Sequence, residues 1–259
     1  MKKMVLFVAF LSLFLLTSCG LSKNSANEQA KIEQEKRVNT IKKNRKAWNK
    51  RVKAATNVDM PGDEYLVRVP DGYNDEQMSL KRLENGNQDV VKASVINLQP
   101  EFGRLFTVET KATIYIEKVI SGDKMLQKKN IKTEFSGGLT RAGEYFTNFE
   151  GQYDGAQFGF NDKKTIVESN NPTIPMPEIG DHIIVGISKY QPDNKYQKAD
   201  RKKHGLTIDN FYPINNPEVT FWIKKKGKYR LNNPAFYKKE NRGKNPQIFK
   251  LTKQLNQKY

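Results

Sequence analysis

From Val90 onwards the apolar residues of this chain change to a period of two, which is the repeat of a β-strand. The segments 90–98 and 105–120 are rich in Val, Ile, Thr, Phe and Tyr, with polar residues interleaved in part of the second. Shorter apolar runs, separated by glycine and proline breaks, follow at 131–135, 182–190, 218–223 and 229–231. We therefore predict five or six antiparallel strands and a mainly β fold.

The chain has a single cysteine, Cys19, so no disulfide can form within it. The fold must depend on its own hydrophobic core. Because the sequence has 14 Phe and 11 Tyr, we expect aromatic side chains to supply much of that core.

The chain begins with an apolar run that has the pattern of an export signal. Lys2 and Lys3 precede thirteen residues, 4–16, of which only Ser12 is polar. A helix needs about 20 apolar residues to cross a membrane, so this run is too short to do so. We therefore predict that residues 1–18 are a signal peptide that is removed.

The residues Leu16, Thr17, Ser18 and Cys19 resemble the lipobox of Gram-positive and other bacterial lipoproteins position by position. The resemblance implies a diacylglyceryl group on the Cys19 sulfur, and hence an anchor on the extracytoplasmic face of the cell membrane. Two acyl chains suffice for stable anchoring. The alternative is an ordinary cleaved signal, which would leave a free reactive thiol in an exported protein.

Residues 26–55 contain no proline or glycine, and we predict that they form one long basic helix after a short tether at 19–25. Ten Lys and Arg lie between 31 and 53, around a narrow apolar stripe. Either the helix lies on anionic lipid with its tryptophan at headgroup level, or the stripe packs on the folded domain. The candidate surface residues are Lys42, Lys43, Arg45, Lys46, Trp48, Lys50 and Arg51.

The region 88–232 resembles a small exported β-barrel of the OB-like type, similar to those of Gram-positive surface proteins. The segments that carry this resemblance are 113–119, 122–123, 135–138 and 177–181. It implies a small antiparallel barrel preceded by the long basic helix. The expected organisation is a connector at 56–87, a domain at 88–232 with an insertion at 139–180, and a basic tail at 233–259.

Aromatic residues alternate with glycines within the insertion. The candidate platform for stacking on sugar rings or bases consists of Tyr145, Phe146, Phe149 and Tyr153. The same residues can equally form a hairpin that packs on the domain.

Candidate catalytic residues are few. His182 and His204 are isolated and lack the helical spacing of a metalloprotease. The carboxylates that could pair as in a glycosidase are Glu144, Glu150, Asp154 and Asp162. We predict a protein that is not an enzyme, with no catalytic residue, no metal and no cofactor.

The charge of the chain indicates an anionic partner. There are 45 Lys and Arg against 28 Asp and Glu, a net charge of +17. We predict a lipid-anchored extracytoplasmic binding module that contacts anionic lipid or wall polymer, and no partner protein is indicated. The alternatives are a surface nucleic-acid-binding protein for DNA uptake or transfer, favoured by the basic and aromatic tail, and a wall-active hydrolase.

Overall fold

The computed structural model of the chain describes residues 2–59, 67–104, 107–148 and 150–259, and for residues 2–26 it describes the backbone alone. The chain divides into two compact units, Met1–Lys43 and Asn44–Tyr259. Helix α1 (Lys2–Ala54) runs through the first unit and contributes residues 44–54 to the second. The long basic helix is therefore confirmed, and the predicted tether at 19–25 falls within its bounds.

The second unit combines strands and short helices. The described strands are β1 (Thr56–Asn57), β2 (Asp89–Pro100), β3 (Glu109–Ser121), β4 (Asn130–Ser136), β5 (Gly138–Arg141), β6 (Ile166–Ser169), β7 (His182–Ile187), β8 (Phe221–Lys225) and β9 (Lys228–Leu231). The described helices after α1 are α2 (Leu80–Asn85), α3 (Ala142–Tyr145), α4 (Lys195–Lys203), α5 (Pro217–Thr220), α6 (Lys239–Arg242) and α7 (Pro246–Lys258).

Six strands form one antiparallel sheet in the order β4-β3-β2-β7-β8-β9. They correspond to the six runs predicted from the sequence, so these strands are confirmed. A second sheet has the order β1-β6-β5, with β1 parallel to β6. Over the residues whose side chains are described, helix accounts for 37% and strand for 27%, so this part of the chain is mixed rather than mainly β.

Within the described residues, the large sheet is open and has β4 and β9 as its edges. The closed barrel expected from the sequence is not seen there. One reason is that the insertion at 139–180 contributes β5 and β6 to the separate sheet. The chain turns out of the large sheet at Gly137 and Gly138, whose φ values are +95° and +107°. A Cβ on Gly138 would lie 2.0 Å from Thr110 Oγ1, so this crossing requires glycine.

The predicted basic tail, 233–259, is part of the folded unit. An apolar cluster joins α2, the sheet and α7, and it consists of Leu83, Val90, Ile184, Trp222, Tyr229, Leu231, Phe236, Ile248, Leu251 and Leu255. The spacing of Ile248, Leu251 and Leu255 places them on one face of α7. Lys250 and Lys253 are exposed on the same helix. The tail therefore ends in an amphipathic helix, α7, that is docked on the rest of the folded unit.

Candidate functional site

The part of α1 within the second unit is docked on this unit. Trp48 is 6% exposed. The Nδ2 of Asn44 donates to the carbonyl of Ile96 at 3.0 Å, and the Nε of Arg45 donates to the carbonyl of Ile179 at 2.6 Å. This is the second of the two arrangements considered for the helix. Because Trp48 is buried, it is unavailable at headgroup level in this conformation.

The side of α1 that faces away from Trp48 carries a group of lysines, Lys46, Lys50 and Lys53, which we call the lysine face. At 3.6 residues per turn these positions span about 60° of the helix circumference. All three side chains are exposed. Residues 36–53 include nine Lys and Arg and no acidic residue, so no carboxylate of this segment neutralises them.

The other candidate cations of α1 have different surroundings. Lys42 and Lys43 are exposed at the end of the first unit. The guanidinium of Arg51 lies 5.9 Å from the centre of the Phe102 ring, within reach of a cation–π contact. Arg51 therefore lies at the edge of the side of α1 that docks on the folded unit. The lysine face, in contrast, is exposed to solvent.

The predicted aromatic platform is largely packed. Its residues were Tyr145, Phe146, Phe149 and Tyr153, of which Phe149 lies outside the described residues. Tyr145 meets Phe146 edge-on at 4.8 Å, and Phe146 stacks on Phe160 at 5.1 Å. The hydroxyl of Tyr153 donates to the carbonyl of Phe160. These contacts support the packing interpretation, although Phe158, stacked on Phe146, is 49% exposed.

A buried cluster of charged side chains links the loop after β2 to β4 and α4. Its centre is Arg104, whose Nη2 lies 2.6 Å from Glu101 Oε2 and 2.7 Å from Glu134 Oε1. The side chains of Glu101 and Arg104 are 1% and 7% exposed. Arg201 of α4 also pairs with Glu134, and Asp200 lies 3.8 Å from Arg104. Sequence reasoning missed this cluster, because its members are separated by up to a hundred residues.

The pKa values of groups in and beside this cluster are shifted by burial. Burial and the charge of Glu134 raise the pKa of Glu101, against the opposing charge of Arg104. The same two causes raise the pKa of Glu109 to about 7. Burial, followed by the charge of Arg104, lowers the pKa of His204. The cluster therefore contains carboxylates that are costly to ionise, which is typical of both functional sites and structural ion pairs.

Ser94, Glu117 and His182 have the residue types of a hydrolase triad, but their geometry is different. The Nδ1 of His182 faces both partners, at 3.2 Å from Ser94 Oγ and 2.6 Å from Glu117 Oε1. A relay requires two different ring nitrogens. The Ser94 hydroxyl also donates to Glu117. These residues therefore form a carboxylate-centred cluster, not a nucleophile and base.

Glu117 is held ionised by this cluster. Burial opposes its ionisation, but hydrogen bonds from His182 and Ser94 and the charge of Lys92 together lower the pKa of Glu117 to about 2. Lys92 Nζ lies 3.4 Å from Glu117 Oε2. The negative charge on Glu117 thus contributes to the stability of the sheet at neutral pH.

Two of the four carboxylates considered for glycosidase chemistry, Glu144 and Asp162, accept local hydrogen bonds. Glu144 accepts from the hydroxyl of Thr140 at 2.9 Å and from Arg141 Nη1 at 2.7 Å. Asp162 accepts from the backbone N–H of Lys164 at 2.9 Å. These contacts join near neighbours in the chain, as capping and turn residues do.

Cys19 lies in the part of α1 for which only the backbone is described, so its lipidation stays a prediction. Across the described side chains, no helix combines the length and apolar character needed to cross a bilayer. Over the same residues, no group of three His, Cys, Asp or Glu side chains is placed to hold a metal ion. No family model matches this chain, and a search of curated proteins finds no similar sequence.

Proposed function

We propose that this protein is a lipid-anchored extracytoplasmic module that binds an anionic surface, membrane lipid or wall polymer, through α1. The supporting observation is the lysine face, Lys46, Lys50 and Lys53, exposed on the side of the helix away from the buried Trp48. Because the docked side fixes this part of the helix on the folded unit, the three ammonium groups are presented together without prior ordering of the backbone.

The length of the lysine face sets how it meets a membrane. Residues 46–53 span about 12 Å along α1. Charges act over about 8 Å at physiological ionic strength. The lysine face therefore contacts anionic lipid only if the helix lies along the surface. Each lysine close to the surface contributes about 1 kcal/mol.

The test measures binding of residues 20–259, which keep every described side chain, to vesicles of phosphatidylglycerol and phosphatidylcholine. We expect binding at low salt that falls steeply as salt rises. The triple variant Lys46→Gln, Lys50→Gln, Lys53→Gln loses three contributions of about 1 kcal/mol, so its binding weakens about 100-fold. A matched variant carries Lys250→Gln, Lys253→Gln and Lys258→Gln, three exposed lysines of α7, and we expect it to retain most of its binding.

Two outcomes contradict the proposal. Absence of binding to anionic vesicles and to isolated wall polymer at low salt excludes surface binding by this helix. If the two triple variants lose equal affinity, binding depends on the net charge of the protein and not on the lysine face. A duplex DNA titration at the same salt is included, because binding of DNA alone supports the nucleic-acid alternative.

The OB-like assignment of the large sheet stays a prediction, because its described strands leave the sheet open. The proposed binding does not depend on it, since the lysine face belongs to α1.

A further inference from the structure

A cavity of about 200 Å³ lies beside the buried charged cluster, against the paired strands β3 and β4. Most of its lining residues are apolar, with Ile174, Ile214 and Pro217 among them, and two are carboxylates, Glu109 and Glu134. Drug-sized ligands occupy cavities of about 300–1,000 Å³. The size of this cavity therefore favours a small ligand with an apolar body.

The strand register places the two carboxylates on the same face of the sheet. Glu109 pairs with Ser136, and Lys111 pairs with Glu134. Glu109 and Glu134 are thus diagonal neighbours, a relation that separates residues on adjacent strands by about 7–8 Å. This spacing brings both acidic groups to one cavity and leaves room for a ligand group between them.

The two carboxylates differ in how they are paired. Glu134 accepts from Arg104 and Arg201. Among the described residues, none forms an ion pair or a side-chain hydrogen bond with the carboxylate of Glu109. Burial, followed by the charge of Glu134, raises the pKa of Glu109 to about 7. A partly buried carboxylate without a partner has lost hydration that a cationic ligand can replace.

We propose that this cavity binds a small organic cation, a primary ammonium on a compact apolar body, with the ammonium at Glu109 and the body against Ile174, Ile214 and Pro217. Six of the nine residues of the described lining are apolar and Ser136 is the one neutral polar residue among them, so most hydroxyls of a sugar would lie against apolar side chains there. The proposal concerns a different ligand and a different surface from those of the lysine face, and it does not depend on membrane binding.

The probe is benzylammonium, with benzyl alcohol as its neutral counterpart of similar shape. Titration of residues 20–259 at pH 8, followed by amide NMR shifts, is expected to perturb residues 109–111 and 134–136. Benzylammonium should bind about tenfold more tightly than benzyl alcohol, as expected for a charge-assisted contact. Glu109→Gln should abolish this preference, whereas Glu240→Gln, which removes an exposed carboxylate on α6, should preserve it.

The pH dependence gives a second measurement on the unchanged protein. The charged groups that act on Glu109 are Glu134 of β4, Arg104 of the loop after β2 and Arg201 of α4. Since the cation binds the ionised carboxylate, its affinity should fall as pH decreases from 8 to 6, by up to about tenfold per unit below the pKa. The affinity of benzyl alcohol should change little.

Three results would overturn the proposal. The first is the absence of saturable benzylammonium binding at pH 8. The second is equal affinity for benzylammonium and benzyl alcohol. The third is a preference for the cation that survives Glu109→Gln or does not depend on pH. If Glu109→Gln does not fold, the comparison of the two probes and the pH profile still decide.

Discussion

The N-terminus of α7 is capped by a side chain from a distant turn. Asp75 accepts from the backbone N–H groups of Gln247 at 2.8 Å and Ile248 at 3.1 Å, and from the hydroxyl of Tyr73 at 2.7 Å. The residue at the N-cap position itself, Asn245, makes no side-chain capping bond. We therefore predict that Asp75→Ala destabilises the folded unit through the docking of α7.

The expected loss follows from the bonds that are removed. Loss of an N-cap costs about 0.5–2 kcal/mol, and a hydrogen bond to a charged group contributes about 1.5–3 kcal/mol. Because Asp75 is only partly buried and water can replace some of these bonds, we expect a total of about 2–3 kcal/mol. For a domain of about 150–250 residues, this lowers the Tm by about 4–12 °C.

The assay is urea denaturation followed by tryptophan fluorescence. Trp222 reports on α7 directly, because its Nε1 donates to Thr252 Oγ1 at 3.0 Å. Asp75→Asn keeps an acceptor and loses the charge, so it should be affected less than Asp75→Ala. Asp209→Ala removes an exposed carboxylate and serves as the control. If Asp75→Ala lies within about 0.5 kcal/mol of this control, the range for neutral surface substitutions, the cap does not stabilise α7.

Three further predictions follow from the charged groups and the N-terminus. Arg104→Met leaves Glu101 and Glu134 without their shared cation, so the free energy of unfolding in urea should fall by about 3–5 kcal/mol; an unchanged value would mean that the cluster is solvated. The folded pKa of Glu117 is about 2, below its ordinary value, so its contribution is present above pH 5 and is lost as pH falls towards 2. Between these values wild type should lose up to about 3 kcal/mol more stability than Glu117→Gln, and parallel pH profiles would contradict this. Cys19→Ala should release the protein from the membrane fraction or leave the signal uncut, whereas normal processing and retention would refute the lipobox assignment.

The strands were predictable because their signal is local. The runs at 90–98 and 131–135 lie within β2 and β4, and a period of two is readable over a few residues. Helix α7 was missed for a different reason. Its apolar face, Ile248, Leu251 and Leu255, lies in a segment where twelve Lys and Arg between 224 and 258 dominate the composition. The charged residues of such a helix lie on its exposed side, so the charged composition of the segment does not indicate that the opposite side packs on the sheet.

The candidate sites also differ in how much of them the sequence predicts. The cations of α1 were predictable as a group, but the side that docks depends on Ile96 and Ile179, which come from distant parts of the chain. The buried cluster depends on the meeting of Arg104, Glu134 and Arg201, and no local pattern predicts that contact. A sequence shows which residues are charged, whereas tertiary structure decides which of them are paired.

Whether a cation is already paired within the protein determines whether it can contribute to binding of an anionic surface. Lys111 and Lys132 donate to the carbonyls of His204 and Gly205, so these ammonium groups are engaged within the protein and add little to a binding surface. The proposed contact of the lysine face with a membrane would contribute about 1 kcal/mol per charge, which is too weak to hold a free protein there at physiological salt. A lipid on Cys19 would already hold the chain at high effective concentration near the surface. In the anchored protein the lysine face would therefore set the orientation of the folded unit, and salt would change this orientation without releasing the protein.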